Sequence, residues 1–377
     1  MASEPRHREI SGKLRAEIAA GKYDRDRRLP TEQQLVHRFK LSRPTVARAL
    51  RDLADEGLIE RRAGSGTFLR QPSAGVSGVA DRQLGLLIPG LGSTEIFEVI
   101  CGELAGVARV HDYHLLWGGG AHPRHDISAG VESMQQFCDH FIQKKIRGVF
   151  FAPVEHVENK SEINHNMASQ LRQAGVAVVL LDRDLGDFGT RSDFDLVSID
   201  NLTGGHMLAT HLIKLGCRKP LFVARPLSAQ TVILRAAGAR EALRMHGIRE
   251  PDHFLRNGDP SDPRFVESLD AGRSCDGVIC SNDYTAAMLI QSFERMKIRV
   301  PRHVRVVGFD DVRYATLLAV PLTTVHQPCR EIAITALNAM RDRIADPTAP
   351  TRTLMLNPRL LVRESCGAYL NAPAQTV

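Results

Sequence analysis

The chain has 377 residues, too many for one small module and enough for two or three globular units. With 43% hydrophobic and 24% charged residues it is too rich in core formers to be disordered, and no apolar run is long enough to cross a bilayer. Its formal charge of +6 is uneven: residues 1–70 hold 16 Lys and Arg against 10 Asp and Glu, while residues 71–377 hold 33 of each. A small basic module that meets a polyanion, followed by a neutral body with another task, is the organisation this implies.

The predicted elements begin with a helix on which Ile10, Leu14 and Ile18 share one face. Thr31-Glu32-Gln33-Gln34 reads as a capping box opening a short helix with Leu35 and Phe39 inward. Ser42 is a good N-cap for the next helix, over 42–56, and Pro44 in its first turn loses no hydrogen bond. That helix buries Val46, Leu50, Leu53 and Ala54 and turns Pro44, Thr45 and Arg48 outward, with Arg43 at its start. Two short helices joined by three or four residues, the second with an amide-rich N-terminus among Arg and Thr, suit a DNA major groove. After Gly57, residues 58–62 and 64–69 form two strands about a glycine turn, a basic arm suited to phosphates or the minor groove.

The small and polar residues 71–82 read as a linker. Beyond them, strands are expected at 83–88, 113–117, 148–151, 176–181, 221–223, 277–280 and 304–309. Helices are expected near 95–109, 129–145, 203–215, 233–246 and 284–297. This alternation predicts a doubly wound α/β architecture with ligands at the carboxyl ends of the strands.

The run from Leu29-Pro30-Thr31-Glu32 through Leu41-Ser42-Arg43-Pro44-Thr45-Val46 and Glu56-Gly57-Leu58-Ile59 to Gly64-Ser65-Gly66-Thr67-Phe68 resembles the winged helix-turn-helix of GntR-family regulators. The resemblance implies base contact from Arg43 and Thr45, a wing of Gly64 and Gly66 in the minor groove, and Arg62 on phosphate or groove edge. Thr31, Gln33, Ser42, Pro44, Arg48, Arg61 and Ser65 complete the expected DNA-facing set, with Thr31 and Ser42 read as helix caps ahead of base contacts. Ala47 departs from the family, which often has Arg there, and Arg48 follows it.

In the body, Val197-Ser198-Ile199-Asp200-Asn201, Cys280-Ser281-Asn282-Asp283, Val306-Val307-Gly308-Phe309-Asp310-Asp311 and Leu322-Thr323-Thr324-Val325 with Gln327-Pro328 resemble the effector domain of the LacI/GalR family, itself similar to periplasmic sugar-binding proteins. The resemblance implies two lobes, about 83–197 with 328–354 and 198–327 with 355–377, crossed by three chain segments. By motif position the expected effector contacts are Asp182, Arg235, Asn282, Asp310 and Gln327, with Phe97 as a stacking wall or plain core. Arg235 supplies a planar pair of donors, Asp310 accepts from vicinal hydroxyls and Asn282 does both. The function implied is an operator-binding regulator of the arabinose-repressor type, a homodimer on a near-palindromic duplex that releases when a sugar binds, with co-repression as the other sign.

Competing chemistry is thinly supported. His111 and His114, and His122 and His125, have metal-like spacing without a carboxylate or Cys to complete a site, so no metal is expected. Gly90-Leu91-Gly92 lacks the third glycine of a dinucleotide fingerprint, and no cofactor is expected. The seven cysteines show no C-x-x-C spacing, and the charged MASEPRHREI start is unlike a signal peptide, which points to a cytoplasmic protein. A free sugar-binding protein and an α/β enzyme with a DNA-binding arm are the alternatives.

Overall fold

A computed structural model describes residues 6–19, 22–23, 28–62, 66–69, 82–89, 95–118, 127–186 and 188–371. The expected linker, apart from Arg82, lies outside them, as do Gly64, Ser65, Gly90-Leu91-Gly92, His122 and His125.

Among the described residues, the amino-terminal module has three helices, α1 (Arg6–Ala19), α2 (Glu32–Phe39) and α3 (Arg43–Asp55), and a hairpin of β1 (Ile59–Arg62) and β2 (Gly66–Leu69). Apolar residues at helical spacing close one core: Ile10 and Leu14 from α1, Leu35 from α2, Val46, Leu50 and Leu53 from α3, and Ile59 and Leu69 from the hairpin. The predicted capping box is present at Thr31 and Gln34. Lys40, with φ 53°, turns the chain between α2 and α3. Glu56 is buried and receives two bonds from Arg15, of 3.0 and 2.7 Å, tying α1 to the end of α3. The hairpin extends through Leu29, whose N–H donates to the Thr67 carbonyl at 2.9 Å.

The body has two sheets. The first lobe contains β3 (Gln83–Leu87), α4 (Glu95–Val110), β4 (His114–Gly118), α5 (Ile127–Gln143), β5 (Gly148–Phe151), α6 (Lys160–Gln173), β6 (Ala177–Leu181) and β7 (Asp195–Ile199). The second contains α7 (Asn201–Lys214), β8 (Pro220–Ala224), α8 (Gln230–Met245), β9 (Leu255–Asn257), α9 (Pro263–Glu267), β10 (Gly277–Cys280), α10 (Asp283–Arg295), β11 (Arg305–Asp310) and β12 (Thr323–His326). The chain then returns to the first lobe for α11 (Cys329–Ala345) and β13 (Thr353–Leu356), and ends on the second with β14 (Arg359–Leu361). The strand orders are β4-β3-β5-β6-β7-β13 and β9-β8-β10-β11-β12-β14, with β14 antiparallel to β12.

The α/β class and two-lobed parallel architecture are those expected. Fully buried strands such as Gly148–Phe151 and Gly277–Cys280 explain the continuous apolar runs, because helices cover both faces of a parallel sheet. Three segments pass between the sheets, after Ile199, at Gln327 and Pro328, and at Asn357 and Pro358. Helices α7 and α8 meet backbone to backbone: a Cβ on Gly205 would lie 1.8 Å from the Arg235 carbonyl oxygen, and one on Gly238 would lie 1.9 Å from that of Leu202. Only glycine permits that approach, and it sets where Arg235 stands.

Candidate functional site

In the amino-terminal module, Gln33 near the start of α2, Ser42, Arg43 and Pro44 at the start of α3, and Arg48 one turn further on are exposed, and Thr45 is half-buried. Arg43 leaves four-fifths of its side chain in solvent, with Glu32 3.3 Å from Nε. Ser42 occupies the N-cap of α3 without a side-chain cap bond, because its hydroxyl pairs with Thr45 Oγ1 at 2.8 Å. Thr31 has its hydroxyl committed to the Gln34 amide at 3.3 Å, and so is a cap. Arg61 and Arg62 lie on β1 and Gly66 opens β2 with φ 118°. A helix start with free amides, two exposed guanidiniums and a basic hairpin can engage a phosphate backbone and the groove between its strands.

The body gathers charge at the carboxyl ends of its strands, where the two lobes face one another. From the first lobe come Glu155 after β5, and Asp182 and Arg183 after β6; from the second come Arg235 on α8 and Asp310 ending β11. Asp182 (φ 68°) and Asp310 (φ 116°) both occupy the left-handed region, a backbone cost that is concentrated at binding sites. At Asp182 a three-residue turn, closed by Arg183 N–H donating to the Leu181 carbonyl at 2.8 Å, produces this conformation.

Arg235 is buried and almost fully engaged. Its Nε donates to Asn201 Oδ1 at 2.8 Å, its Nη1 donates to the Ser281 carbonyl at 2.6 Å, and its guanidinium lies 3.6 Å above the Phe309 ring. Asp310 Oδ1 stands 3.9 Å from Arg235 Nη1 and accepts from Gln327 Nε2 at 2.7 Å. Burial raises the Asp310 pKa to about 7 against the opposing Arg235 charge and Gln327 hydrogen bond, and the neighbouring Asp182 and Glu155 carboxylates add to the rise. Burial also lifts Asp182, although Arg183 and Arg235 pull against it. For Glu155, burial is outweighed by the Arg183 and His156 charges and by bonds from Arg183 and the Ala229 N–H, which hold its pKa at about 2.

Glu155 also joins the lobes. One oxygen pairs with Arg183 and the other accepts the Ala229 N–H, at the N-terminus of α8, at 3.0 Å. Beside it His156 N–H donates to the Leu227 carbonyl at 2.9 Å and Lys160 Nζ to the same oxygen at 2.8 Å.

Of the six residues singled out from the sequence, Arg235, Asp310 and Gln327 touch or face one another, and Asp182 faces them from the other lobe. Asn282, expected as a sugar contact, caps α10 through Oδ1, which accepts the Thr285 N–H at 2.8 Å. Asp283 is fully buried, bonded to Val312 N–H at 3.0 Å and Thr324 Oγ1 at 2.6 Å. Phe97 is only 1% exposed and lies under the Arg183 guanidinium, 5.3 Å from ring centroid to Cζ, so the ring is core and the face expected to stack on sugar is covered by Arg183. Glu155, Arg183 and Asn201 were not singled out. Arg183 directly follows Asp182, Asn201 lies within the SIDN run, and Glu155 follows a buried strand, so the strand-end rule was the available signal.

A separate cavity of about 850 Å³ lies beside β8 and β9 of the second sheet, lined by Lys219, Leu221, Arg256 and Leu269 among others. There Arg256 is bonded to Ser268 O and Oγ and Arg218 to Ile213 and Cys217 carbonyls. Among the described residues, no group of three or more His, Cys, Asp or Glu is placed to hold a metal ion, and no helix is long and apolar enough to cross a membrane.

Residues 6–69 match the gntR family of bacterial regulatory proteins, and residues 209–366 match a periplasmic binding protein-like domain. The arabinose metabolism transcriptional repressor of Geobacillus stearothermophilus is 24% identical over 371 residues, covering 96% of this chain and 97% of that protein. The ribose operon repressor of Escherichia coli (strain K12) is 27% identical over 241 residues, 62% of this chain and 69% of its own. Among solved structures, the transcriptional regulator CelR in complex with cellobiose superimposes with a TM-score of 0.64 at 21% identity, covering 86% of this chain and 91% of that one. The chain therefore joins a DNA-binding domain of the gntR family of bacterial regulators to a two-lobed periplasmic binding protein-like body.

Proposed function

We propose that this chain is a sequence-specific transcription regulator, a repressor, whose operator affinity is set by a sugar held between the lobes of its body. The observation that carries the reading is the buried polar constellation of Asp182, Arg183, Asn201, Arg235, Asp310 and Gln327 at the junction of two lobes that are also bonded through Glu155, on a chain whose excess charge is confined to a helix-turn-helix. A sugar offers many hydroxyls and little apolar surface, so it is recognised by carboxylate acceptors and fixed guanidinium donors in a dry cleft. Two relatives are named as repressors of arabinose metabolism and of a ribose operon, and one solved relative holds cellobiose, which supports a sugar as the effector.

In the mechanism, a cytoplasmic homodimer sets two α3 helices in successive major-groove turns of a near-palindromic duplex, about 34 Å apart. Arg43, Thr45 and Arg48 read base edges or adjacent phosphates, and Arg61, Arg62, Gly64, Ser65 and Gly66 bring the hairpin to the backbone or minor groove. Gln33, Ser42 and Pro44 border the same face. A sugar that binds both lobes changes the spacing of the two readers and lowers operator affinity, and linkage then requires that operator weaken the sugar by the same factor. We assign the chain no catalytic step.

The test is a fluorescence-anisotropy titration of the full chain with palindromic fragments from upstream of its own coding sequence, followed by addition of pentoses and hexoses. Binding in low salt with release by a sugar is the expected result. The Arg235→Lys variant should bind the operator as tightly and respond to the sugar at least tenfold less well. Failure of every fragment to bind in low salt, with a folded protein, refutes the proposal.

A further inference from the structure

We propose that the cleft selects an uncharged polyhydroxy ligand and rejects its phosphorylated or carboxylated counterparts; this rests on the sugar-binding reading above and narrows its ligand class. Three carboxylates, Glu155, Asp182 and Asp310, face two guanidiniums, Arg183 and Arg235, and every one of these side chains is at least four-fifths buried. Both cations are already engaged. Arg183 pairs with Glu155 and has Asp182 Oδ2 3.6 Å from Nε. Arg235 is spent on Asn201, the Ser281 carbonyl and the Phe309 face, with Asp310 beside it. A phosphate or carboxylate entering here finds no unneutralised cation in the group. It would have to displace Glu155 from Arg183, and Glu155 is the same residue that holds Ala229 across the lobes.

What the group offers instead is neutral chemistry. Arg183 Nε is buried and lacks a hydrogen-bond partner, an N–H that a hydroxyl oxygen can satisfy. Asp182 and Asp310 present acceptor oxygens for the hydroxyl protons. The raised pKa values of both point the same way, since added negative charge would push them further. Arg225, after β8, has its guanidinium 5.9 Å from the Tyr284 ring centroid, and its charge acts on His156 and Asp259.

Isothermal titration of the full chain with matched sets, each aldopentose and aldohexose beside its phosphate ester and its uronate at constant ionic strength, decides the matter on the wild-type protein. The expected result is binding of at least one neutral sugar, with its anionic counterparts at least tenfold weaker. Asp182→Asn should narrow that gap, with circular dichroism and operator binding confirming a folded protein. An anion that binds as tightly as its neutral parent, or more tightly, overturns the charge selection and leaves the sugar-responsive regulator standing. No binding from either class, with operator binding intact, overturns the selection together with the sugar reading.

Discussion

Asp310→Asn separates what the cleft needs for binding from what it costs in stability. The substitution keeps the volume and the acceptor that Gln327 Nε2 reaches at 2.7 Å, and removes the charge. In the native chain, burial, partly offset by Arg235 and Gln327, moves the Asp310 pKa from 3.8 to about 7. At about 1.4 kcal/mol per unit, holding this carboxylate ionised in the folded cleft costs roughly 4 kcal/mol relative to the unfolded chain. The neutral carboxyl's contribution is complete below pH 3.8, where both states are protonated, and is lost as the pH rises through about 7. Asparagine does not ionise, so the stability of the variant minus that of the wild type should grow from near zero in acid to a few kcal/mol above about pH 8, with roughly 4 kcal/mol as its ceiling. Asp283, whose pKa burial also raises, is present in both proteins and cancels in the difference. Urea unfolding of the sugar-free full chain, followed by circular dichroism at about pH 5 and about pH 8.5, measures the two values. The same variant should lose most of its sugar affinity, as expected where a binding site is held at the expense of stability. A stability difference that is equal at both pH values, or a variant less stable than wild type at the higher one, would refute the reasoning.

Arg43→Ala should weaken operator binding by about 1–3 kcal/mol and relax the base preference at one position, read from anisotropy with single-base operator variants. Raising the salt concentration should weaken the operator complex steeply and the sugar complex hardly at all, because the excess charge lies within residues 1–70. Gly205→Ala places a methyl group 1.8 Å from the Arg235 carbonyl oxygen, so α8 must move away from α7 and carry Arg235 with it. A cost of roughly 1–3 kcal/mol in the body and loss of the sugar response are expected, with sugar-free operator binding preserved, as calorimetry and anisotropy would show.

Elements defined by local chemistry were legible in the sequence, and the pairings that cross between lobes were not. The capping box at Thr31, the helix opening at Ser42 and the buried strand Gly148–Phe151 follow from side chains within a few positions of one another. Arg235, Asp310 and Gln327 could be singled out because each lies in a motif whose spacing is local, although the contacts among them span 17 residues for Gln327 and Asp310 and 75 for Arg235 and Asp310. Glu155 has no such motif. Its role depends on Arg183, 28 positions on, and on the Ala229 amide, 74 positions on in the opposite lobe, and an amide leaves no mark in the sequence. Phe97 shows the same limit from the other side. Its place after the first strand suggests a cleft wall, and what turns it into core is the Arg183 guanidinium laid over its face, which no pattern of apolar residues encodes.

The missed residues share a cause with the chemistry they supply. A buried guanidinium persists only where several polar partners converge on it, because its desolvation is repaid only by several at once. Arg183 meets this condition through Glu155 from one strand end and Asp182 from its own, and Arg235 meets it through Asn201, Ser281 and Asp310 from three others. Each cation is therefore placed by the folded topology, and both stand where strand ends of the two lobes come together. A ligand that completes their hydrogen bonding must touch both lobes, so recognition of the sugar and the change in the lobes that reports it depend on the same side chains.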